Sequence, residues 1–361
     1  MRVCLISLEI FAWGKYGGFG RATRMIGREL VRCGVEVFAV VPRRRGQRPK
    51  ENLDGIHVLS FQPGLILSSR KLYRLADADV YHSMEPSLGT YLARKTMPHR
   101  KHAITFRDPR NWRDWYIEFK FPSLSRARVI LNWLYEDSLL VKRAVRKADG
   151  LYMGAHFMAS KVKNKYRLSF DPQFLPTPVA IPEKIQKSSI PTVCFVGRMD
   201  RRKRPEIFFK LAKLFPHVRF QVVGMSQDFE WEKSLRKLYG DLPNLEMLGF
   251  INQFESQRHS HVLEQSWIMV NTSARESLPN VFLEAAAHRC AILSSVDPDG
   301  FSSRFGYHAS QDDFASGLEW LLEENRWQEQ GMLGYEYVRE AYAVDKAIDQ
   351  HLEFYKMLIS S

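Results

Sequence analysis

Short apolar runs alternate with longer amphipathic stretches along this chain, and the first forty residues show the pattern once. Val3 to Ser7 predicts a strand, and a helix with apolar positions at helical spacing follows and stops at Gly34. The near-continuous apolar run Val35 to Val41 then predicts a parallel strand covered on both faces. Strand, helix and strand in this order predict a βαβ unit.

The same pattern begins again in the second half of the chain. Thr192 to Val196 predicts a strand, Pro205 takes a first-turn helix position, and Val218 to Val223 predicts the returning strand. Between the two units, residues 176–189 are rich in proline and polar residues, which indicates a linker.

The length of 361 residues favours two domains with separate cores. Further strand-like runs at Asp79 to His82, Trp267 to Asn271 and Ala291 to Ser294 alternate with helical segments. We therefore predict an α/β fold of two Rossmann-like, doubly wound domains facing across a cleft. The predicted domains span 1–183 and 190–340. Residues 341–361 lie in an amphipathic helix predicted over Tyr335 to Ile359, and we expect them to pack back toward the first domain.

The formal charge of +13 arises in the first half of the chain. Residues 1–149 hold 28 of the 53 Lys and Arg residues but only 14 of the 40 Asp and Glu residues. This asymmetry indicates an anionic partner such as a membrane surface, a phosphorylated acceptor or nucleic acid, with a solvated basic surface as the alternative. The four scattered cysteines and the lack of a signal or spanning segment predict a reduced, cytoplasmic protein.

The strongest chemical signal is the segment Glu276-Ser-Leu-Pro-Asn-Val-Phe-Leu-Glu284. Pro279 is placed to start a helix, so Glu276 precedes the helix and Glu284 lies in its first two turns, at the sheet edge that binds ligands. Carboxylates there accept hydrogen bonds from sugar and ribose hydroxyls, and the N–H groups of the helix N-terminus face a diphosphate. Acids that only complement the helix dipole are the alternative.

A basic loop, Gly197-Arg198-Met-Asp-Arg-Arg-Lys203, follows one predicted strand directly. Negative charge grows on the diphosphate when a nucleotide sugar reacts, and preorganised cations lower that barrier. Arg198 and Lys203 suit this role. We expect Arg201, Arg202 and Arg204 to form a solvated basic turn.

Together these two segments closely resemble the retaining glycosyltransferases of family four, or group 1, which have the two-Rossmann GT-B architecture. The resemblance implies that Arg198 and Lys203 contact the donor phosphates, that Glu276 contacts the donor sugar, and that Glu284 contacts the ribose. The other expected donor-binding residues are Gly197, Ile251, Ser277, Leu278, Pro279 and Asn280. Ser277 stands where many members have glycine, which tightens the expected sugar pocket.

The N-terminal loop from Glu9 to Gly20 contains Lys15, Gly17 and Gly18. Paired glycines let the backbone approach a phosphate or sugar, and Lys15 adds a positive charge. The loop is similar to the Lys-x-Gly-Gly loop of glycogen and starch synthases, which reaches the donor.

Arg107, in Thr105-Phe-Arg107-Asp108, stands where the family often has histidine. The alignment puts it near the reacting sugar, as a catalytic residue that indicates an anionic acceptor or donor substituent. A plain surface charge is the alternative. His82 is interpreted as a packed histidine at a strand end.

Aromatic and basic side chains interleave between residues 110 and 134. The apolar members are Trp112, Trp115, Tyr116, Phe119, Phe121, Val129, Ile130, Leu131, Trp133 and Leu134. The pattern predicts an interfacial helix or a lid over a lipid-linked acceptor, with ordinary core as the alternative.

No metal is expected to be required. The patterns Asp77-Ala-Asp79 and Asp297-Pro-Asp299 lack supporting ligands, and His259 and His261 diverge on a helix.

These observations predict a cytoplasmic, retaining hexosyltransferase whose C-terminal domain binds a UDP-, GDP- or ADP-sugar and which needs no other cofactor. The N-terminal domain is expected to bind a glycan, a lipid-linked saccharide or a small molecule, and to contact an anionic membrane but not nucleic acid. The alternatives are a glucan glucosyltransferase similar to glycogen synthase, and a non-catalytic basic protein of the same fold that binds lipid or nucleic acid.

Overall fold

The computed structural model describes residues 1–122 and 125–361, which form two units. Unit 1 comprises Met1–Asn111, Ile130–Pro178 and Val344–Ser361, and unit 2 comprises Trp112–Val129 and Val179–Ala343. Each unit has one sheet with helices between its strands, so the predicted α/β class with two Rossmann-like sheets is confirmed.

The sheet of unit 1 has the order β3-β4-β2-β1-β5-β6-β7-β8, and β3 is the antiparallel strand at one edge. Its strands are β1 (Arg2–Ile6), β2 (Glu36–Pro42), β3 (Lys50–Leu53), β4 (Ile56–Phe61), β5 (Val80–Ser83), β6 (Lys101–Phe106), β7 (Gly150–Met153) and β8 (Gln173–Phe174). The central strands are apolar and buried because helices cover both faces of a parallel sheet.

The helices that accompany this sheet follow the predicted alternation. They are α1 (Gly18–Arg32), α2 (Ser69–Ala76), α3 (Leu88–Thr96), α5 (Arg126–Asp137), α6 (Leu139–Val145), α7 (Met158–Tyr166) and α15 (Val344–Ser360), of which α5 begins in the part of the chain assigned to unit 2; α4 (Trp112–Lys120) belongs wholly to unit 2. Ile348 and Tyr355 of α15 are buried in the same cluster as Val3 and Leu5 of β1, so the last helix completes the core of unit 1.

Unit 2 has a fully parallel sheet in the order β11-β10-β9-β12-β13-β14. The strands are β9 (Thr192–Val196), β10 (Arg219–Val223), β11 (Leu245–Gly249), β12 (Ile268–Asn271), β13 (Ala291–Ser294) and β14 (Gly306–His308). Its further helices are α8 (Pro205–Leu214), α9 (Phe229–Tyr239), α10 (Arg258–Gln265), α11 (Asn280–Ala287), α12 (Phe301–Arg304), α13 (Phe314–Leu322) and α14 (Arg326–Ala341). Pro205 begins α8, as predicted, because its missing N–H is not needed there.

Every strand predicted above is present, and each end lies within one residue of its predicted position. The single helix predicted from Tyr335 to Ile359 is wrong, because α14 ends at Ala341 and α15 begins at Val344. At the break, the carbonyl of the buried Tyr342 accepts a hydrogen bond from the backbone N–H of Val179 at 2.8 Å, and Ala343 forms an isolated β-bridge with Val179. The helical periodicity of apolar residues continues across these positions, so the sequence pattern does not reveal the break between α14 and α15.

Candidate functional site

Two loops at one edge of the second sheet bring a lysine and a glutamate together. Because β9 and β12 are adjacent parallel strands, the segments that follow them lie at the same edge. Lys203 ends a short 3-10 turn after β9, and Glu276 lies between β12 and α11. The Lys203 Nζ and the Glu276 Oε1 form an ion pair, and both side chains are largely buried.

The electrostatics of this pair keep Glu276 ionised. Burial acts to raise the pKa of Glu276, but Lys203 and Arg202 outweigh it and the pKa is lowered. Burial lowers the pKa of Lys203, and Glu276 opposes that change. Glu276 is therefore an ionised carboxylate at neutral pH, stabilised by Lys203 and Arg202.

Hydrogen bonds to the backbone carbonyls of residues 202–204 join the two loops independently of the ion pair. The Thr272 hydroxyl lies 2.6 Å from the carbonyl of Lys203 and 2.9 Å from that of Arg204. The Ala274 N–H donates to the Arg202 carbonyl at 3.0 Å. This framework sets the position of Lys203 relative to Glu276.

Arg198 lies on the same edge, directly after Gly197. Its Nη1 is 3.2 Å from the Asp200 Oδ2, 34% of its side chain stays exposed, and it contributes to lowering the pKa of Lys203. The β9 loop lies close to the β10 loop, because a Cβ on Gly224 would overlap the Gly197 carbonyl. Glycine at 224 therefore permits an approach that no other residue allows.

Glu284 occupies the second turn of α11, which begins directly after Pro279 as predicted. Its side chain is buried, and its Oε2 lies 3.7 Å from the Nε2 of His259 on α10. His261 lies 3.4 Å from the Glu264 carboxylate instead, so the two histidines diverge as predicted.

The other predicted donor-binding residues lie on two loops of unit 2. Ser277, Leu278 and Asn280 are half-buried, Pro279 is buried, and Ile251 is buried in the loop after β11.

The predicted solvated basic turn is wrong for Arg202 and Arg204. The Arg202 side chain is 12% exposed and pairs with a carboxylate of α4. Arg204 binds both oxygens of Asp312, at 2.6 and 2.8 Å. Arg201 is 58% exposed, and its guanidinium carbon lies 4.4 Å from the centre of a Trp231 ring. The charge run indicated solvation because its acidic partners are far away in the sequence.

The glycine loop of unit 1 folds around a buried glutamate. Gly17 precedes α1, Gly18 is its first residue, and the Glu9 carboxylate accepts the Gly20 N–H at 3.0 Å. The Lys15 Nζ lies 3.5 Å from the other Glu9 oxygen. A Cβ on Gly17 would overlap this carboxylate, so the glycine at position 17 makes room for Glu9.

Arg107 is buried at the end of β6, so the alternative of a plain surface charge is wrong. Its Nη1 donates to the Thr177 hydroxyl, its backbone N–H donates to Glu85 at 2.6 Å, and burial lowers its pKa to about 10. Burial also raises the pKa of Glu85 to about 8. His82 is packed as predicted, with its Nδ1 2.6 Å from the Tyr355 hydroxyl.

The aromatic segment is mostly exposed. Of its ten predicted apolar members only Trp115 is buried, so the core alternative is wrong for the others. Trp112 is 73% exposed and Tyr116 61%. Among residues 1–122 and 125–361, no helix is both long and apolar enough to cross a membrane.

Asp77, Asp79 and Asp297, which belong to the two Asp-x-Asp patterns, form local contacts. Asp77 and Asp79 pair with Arg100. The Asp297 carboxylate accepts hydrogen bonds from Ser302 and Ser303. Within the described part of the chain, no group of three or more metal-ligating side chains occurs.

Four residues beside these sites were missed from the sequence: Arg275, Asp114, Glu118 and Glu85. The sequence offered two signals for them: Arg275 directly precedes Glu276, and Asp114 and Glu118 are one helical turn apart. Neither indicates a partner more than 150 positions away.

Two Rossmann-like units, each with one mainly parallel sheet and covering helices, make up the fold of GT-B glycosyltransferase structures. Solved structures share this fold. They include sucrose-phosphate synthase from Thermosynechococcus elongatus, at 12% identity and TM-score 0.73 over 100% of both chains. HepE from Anabaena, in complex with UDP-glucose, matches at 12% identity and TM-score 0.72 over 99% of this chain and 100% of that one. The catalytic domain of starch synthase IV from Arabidopsis thaliana, bound to ADP and acarbose, matches at 10% identity and TM-score 0.69, over 100% of this chain and 99% of that one.

Residues 180–332 match the family model of the glycosyl transferases group 1. Arg198, Lys203, Glu276 and Glu284 all fall within the matched range. The predicted resemblance to this family and the prediction that the chain is a glycosyltransferase are confirmed. No curated protein sequence matches the chain.

Proposed function

We propose that this protein is a retaining glycosyltransferase that moves a sugar from a nucleoside diphosphate sugar, held by unit 2, to a hydroxyl of an acceptor held by unit 1. The observation that carries the proposal is the ion pair of Lys203 and Glu276 at the ligand-binding edge of the second sheet. Structures of the same fold bind UDP-glucose or ADP, which supports a nucleoside diphosphate as the donor's leaving group.

Each residue of the donor site has a separate role in this proposal. Arg198 and Lys203 bind the diphosphate, because their charges match the charge that develops on the leaving oxygen. Glu276 accepts hydrogen bonds from sugar hydroxyls, and Glu284 from the ribose. The loop from Ser277 to Asn280 and the first N–H groups of α11 face the phosphates, with Gly197 and Ile251 beside them.

In the reaction, the bond between the anomeric carbon and the β-phosphate oxygen breaks, and a bond from the acceptor oxygen to that carbon forms on the same face of the sugar. The acceptor proton passes to the leaving phosphate oxygen. Because two protein cations stand at that phosphate, we propose that no metal ion is needed. Turnover that persists unchanged in EDTA is the expected result.

The predicted acceptor domain of 1–183 and donor domain of 190–340 stay part of this proposal, with the helical segment 341–361 assigned to the acceptor side. Trp112–Val129 are the exception, because they belong to unit 2 and so to the donor side. Lys15, Gly17 and Gly18, in the loop from Glu9 to Gly20, are proposed to contact the donor. In this proposal the Arg107 guanidinium binds an anionic substituent of the acceptor or of the donor sugar.

Donor hydrolysis and transfer by the wild-type protein and the Glu276→Ala variant test the proposal. A thermal-shift panel of UDP, GDP, ADP and their glucose or mannose conjugates selects the donor, because a ligand that binds the native state raises its melting temperature. We expect one base to stabilise the protein and its sugar conjugate to be turned over by the wild type only. Equal rates of donor hydrolysis and transfer in the wild type and the Glu276→Ala variant would contradict the proposed glycosyltransferase activity.

We also propose that unit 1 contacts an anionic membrane through the outward face of α5 and the start of α6, which we term the α5 surface. Its exposed apolar residues are Ile130, Leu131, Trp133, Leu134, Leu139 and Leu140. The opposite face of α5 is anchored, because the Glu136 carboxylate lies 3.0 Å from Arg110. Apolar side chains next to a basic surface are typical of an interfacial helix.

Flotation with vesicles of phosphatidylcholine and phosphatidylserine tests the α5 surface. The variant Leu131→Ser/Trp133→Ser should lose most of the binding, while Leu67→Ser, which removes an apolar residue 69% exposed elsewhere in unit 1, should retain it. Lack of wild-type binding at low salt, or equal binding by both variants, would contradict the membrane contact.

A further inference from the structure

Helix α4 presents two carboxylates to the loop that carries the candidate sugar-binding glutamate. Asp114 and Glu118 are four residues apart, so they share one face of the helix. Although α4 comes from the N-terminal half of the sequence, it belongs to unit 2. The donor-binding unit is therefore assembled from two distant parts of the chain.

These two acids and two arginines form a compact group of four charges. The Arg275 Nε donates to the Asp114 Oδ1 at 2.8 Å, and its Nη1 donates to the Glu118 Oε1 at 3.3 Å. The Arg202 Nη1 lies 3.4 Å from the same Glu118 oxygen and donates to the Arg275 carbonyl at 3.0 Å. The four side chains are 7–14% exposed.

The two arginines directly adjoin the two residues of the Lys203–Glu276 ion pair. Arg202 precedes Lys203, and Arg275 precedes Glu276. Each loop therefore contributes one residue to the donor-site ion pair and its neighbour to the α4 cluster. A shift of either arginine would move the adjacent backbone, and with it a donor-site side chain.

Stability alone does not account for such a cluster. Removing four charges from water costs about as much as their mutual attraction returns, whereas a fixed set of charge-assisted hydrogen bonds specifies geometry. An ordered arrangement beside a reacting sugar has a direct use, since catalytic groups must be held within about 0.5 Å of their productive positions.

We infer that Arg275 is a positioning residue for Glu276, and that Asp114 and Glu118 of α4 hold Arg275 in place. This inference rests on the proposed function, in which Glu276 contacts the donor sugar. The phosphate-binding loop keeps a second tether when the α4 charges are lost, because the Thr272 hydroxyl lies 2.6 Å from the carbonyl of Lys203. Loss of the α4 charges therefore impairs the sugar-dependent step more than it impairs nucleotide binding.

The test compares Asp114→Asn/Glu118→Gln with the wild type, using the nucleotide sugar that the wild type turns over and UDP, GDP or ADP as the matching nucleotide. We expect kcat to fall at least about tenfold, since small misplacements of reacting groups carry large rate costs. The Kd for the nucleotide should stay within about threefold, a change of less than 1 kcal/mol. Glu29→Gln is the matched control, because Glu29 is a buried glutamate of unit 1 that also pairs with two arginines. Its kcat should match the wild type.

A combined variant distinguishes positioning from a general structural role. If Glu118 acts through Glu276, Glu118→Gln/Glu276→Gln will be no slower than Glu276→Gln alone. Independent, multiplicative losses would overturn the inference, as would an unchanged or increased kcat in the α4 variant. A fall in nucleotide affinity equal to the fall in kcat would also overturn it. If the double α4 variant does not fold, Arg275→Lys supplies the same comparison. A wild type that turns over no nucleotide sugar would instead refute the proposed function.

Discussion

Replacing Lys203 with methionine removes the cation that pairs with Glu276 while keeping a side chain of similar length. The structure places this lysine at the ligand-binding sheet edge, largely buried and in contact with the candidate sugar-binding carboxylate. Two separate losses follow, one in catalysis and one in stability.

The catalytic loss is estimated from the charge on the leaving group. One preorganised donor at a developing oxyanion contributes about 10²- to 10³-fold to kcat, or roughly 2.7–4 kcal/mol, and a buried cation belongs in that range. The stability loss comes from Glu276, whose carboxylate stays buried without its ammonium partner. Breaking a buried pair costs about 3–5 kcal/mol, and Arg202 nearby reduces this to roughly 1–3 kcal/mol.

Transfer rates and melting temperatures of Lys203→Met and of Lys203→Met/Glu276→Gln separate the two losses. The double variant leaves no unpaired charge, so its melting temperature should return close to that of the wild type while its activity stays at least about 10²-fold lower. Activity that recovers together with stability would refute the catalytic role of Lys203. A single variant with wild-type turnover would refute it as well.

Three further predictions concern other parts of the molecule. Burial raises the pKa of Glu85 above its unfolded value, to about 8, so its protonated form stabilises the fold at low pH and that stability is lost as the pH rises toward 8. Urea unfolding should show this loss at up to about 1.4 kcal/mol per pH unit, and Glu85→Gln should reduce the slope; an identical slope would contradict it. Gly224→Ala should lower the melting temperature and the donor turnover, because the new Cβ overlaps the Gly197 carbonyl. The control Gly46→Ala, at a position with positive φ but open space, should lower the melting temperature less. Equal decreases in both variants would exclude the overlap as the cause. Glu284 is proposed to accept hydrogen bonds from the ribose hydroxyls, so Glu284→Gln should reduce the difference in affinity between the nucleotide and its 2′,3′-dideoxy analogue. Calorimetry measures both affinities, and an unchanged difference would refute the contact between Glu284 and the ribose.

Local elements were predictable because their signals are local. The buried strands β9 and β13 have the predicted bounds, since an apolar run between polar turns is typical of a parallel strand. Pro279 marked the start of α11, and Pro205 that of α8, because proline has no N–H to contribute.

Contacts between distant segments were not predictable in this way. Arg202 looked like part of a solvated turn, yet it is held by Glu118, which lies 84 positions earlier. The break between α14 and α15 depends on Val179, which contacts Tyr342 across most of the second unit's sequence. Side-chain periodicity does not report pairings between distant segments. The sequence therefore predicted the two donor-site loops but not the helix α4 that contacts both of them.

Arg198, Lys203, Glu276 and Glu284 are proposed to bind one nucleoside diphosphate sugar, and a crystal structure with the donor chosen by the thermal-shift panel would show whether they do. We expect the diphosphate between Arg198 and Lys203, sugar hydroxyls within hydrogen-bond distance of Glu276, and the ribose at Glu284. A donor bound at another edge of the sheet, or these four side chains directed away from it, would refute the proposed donor site.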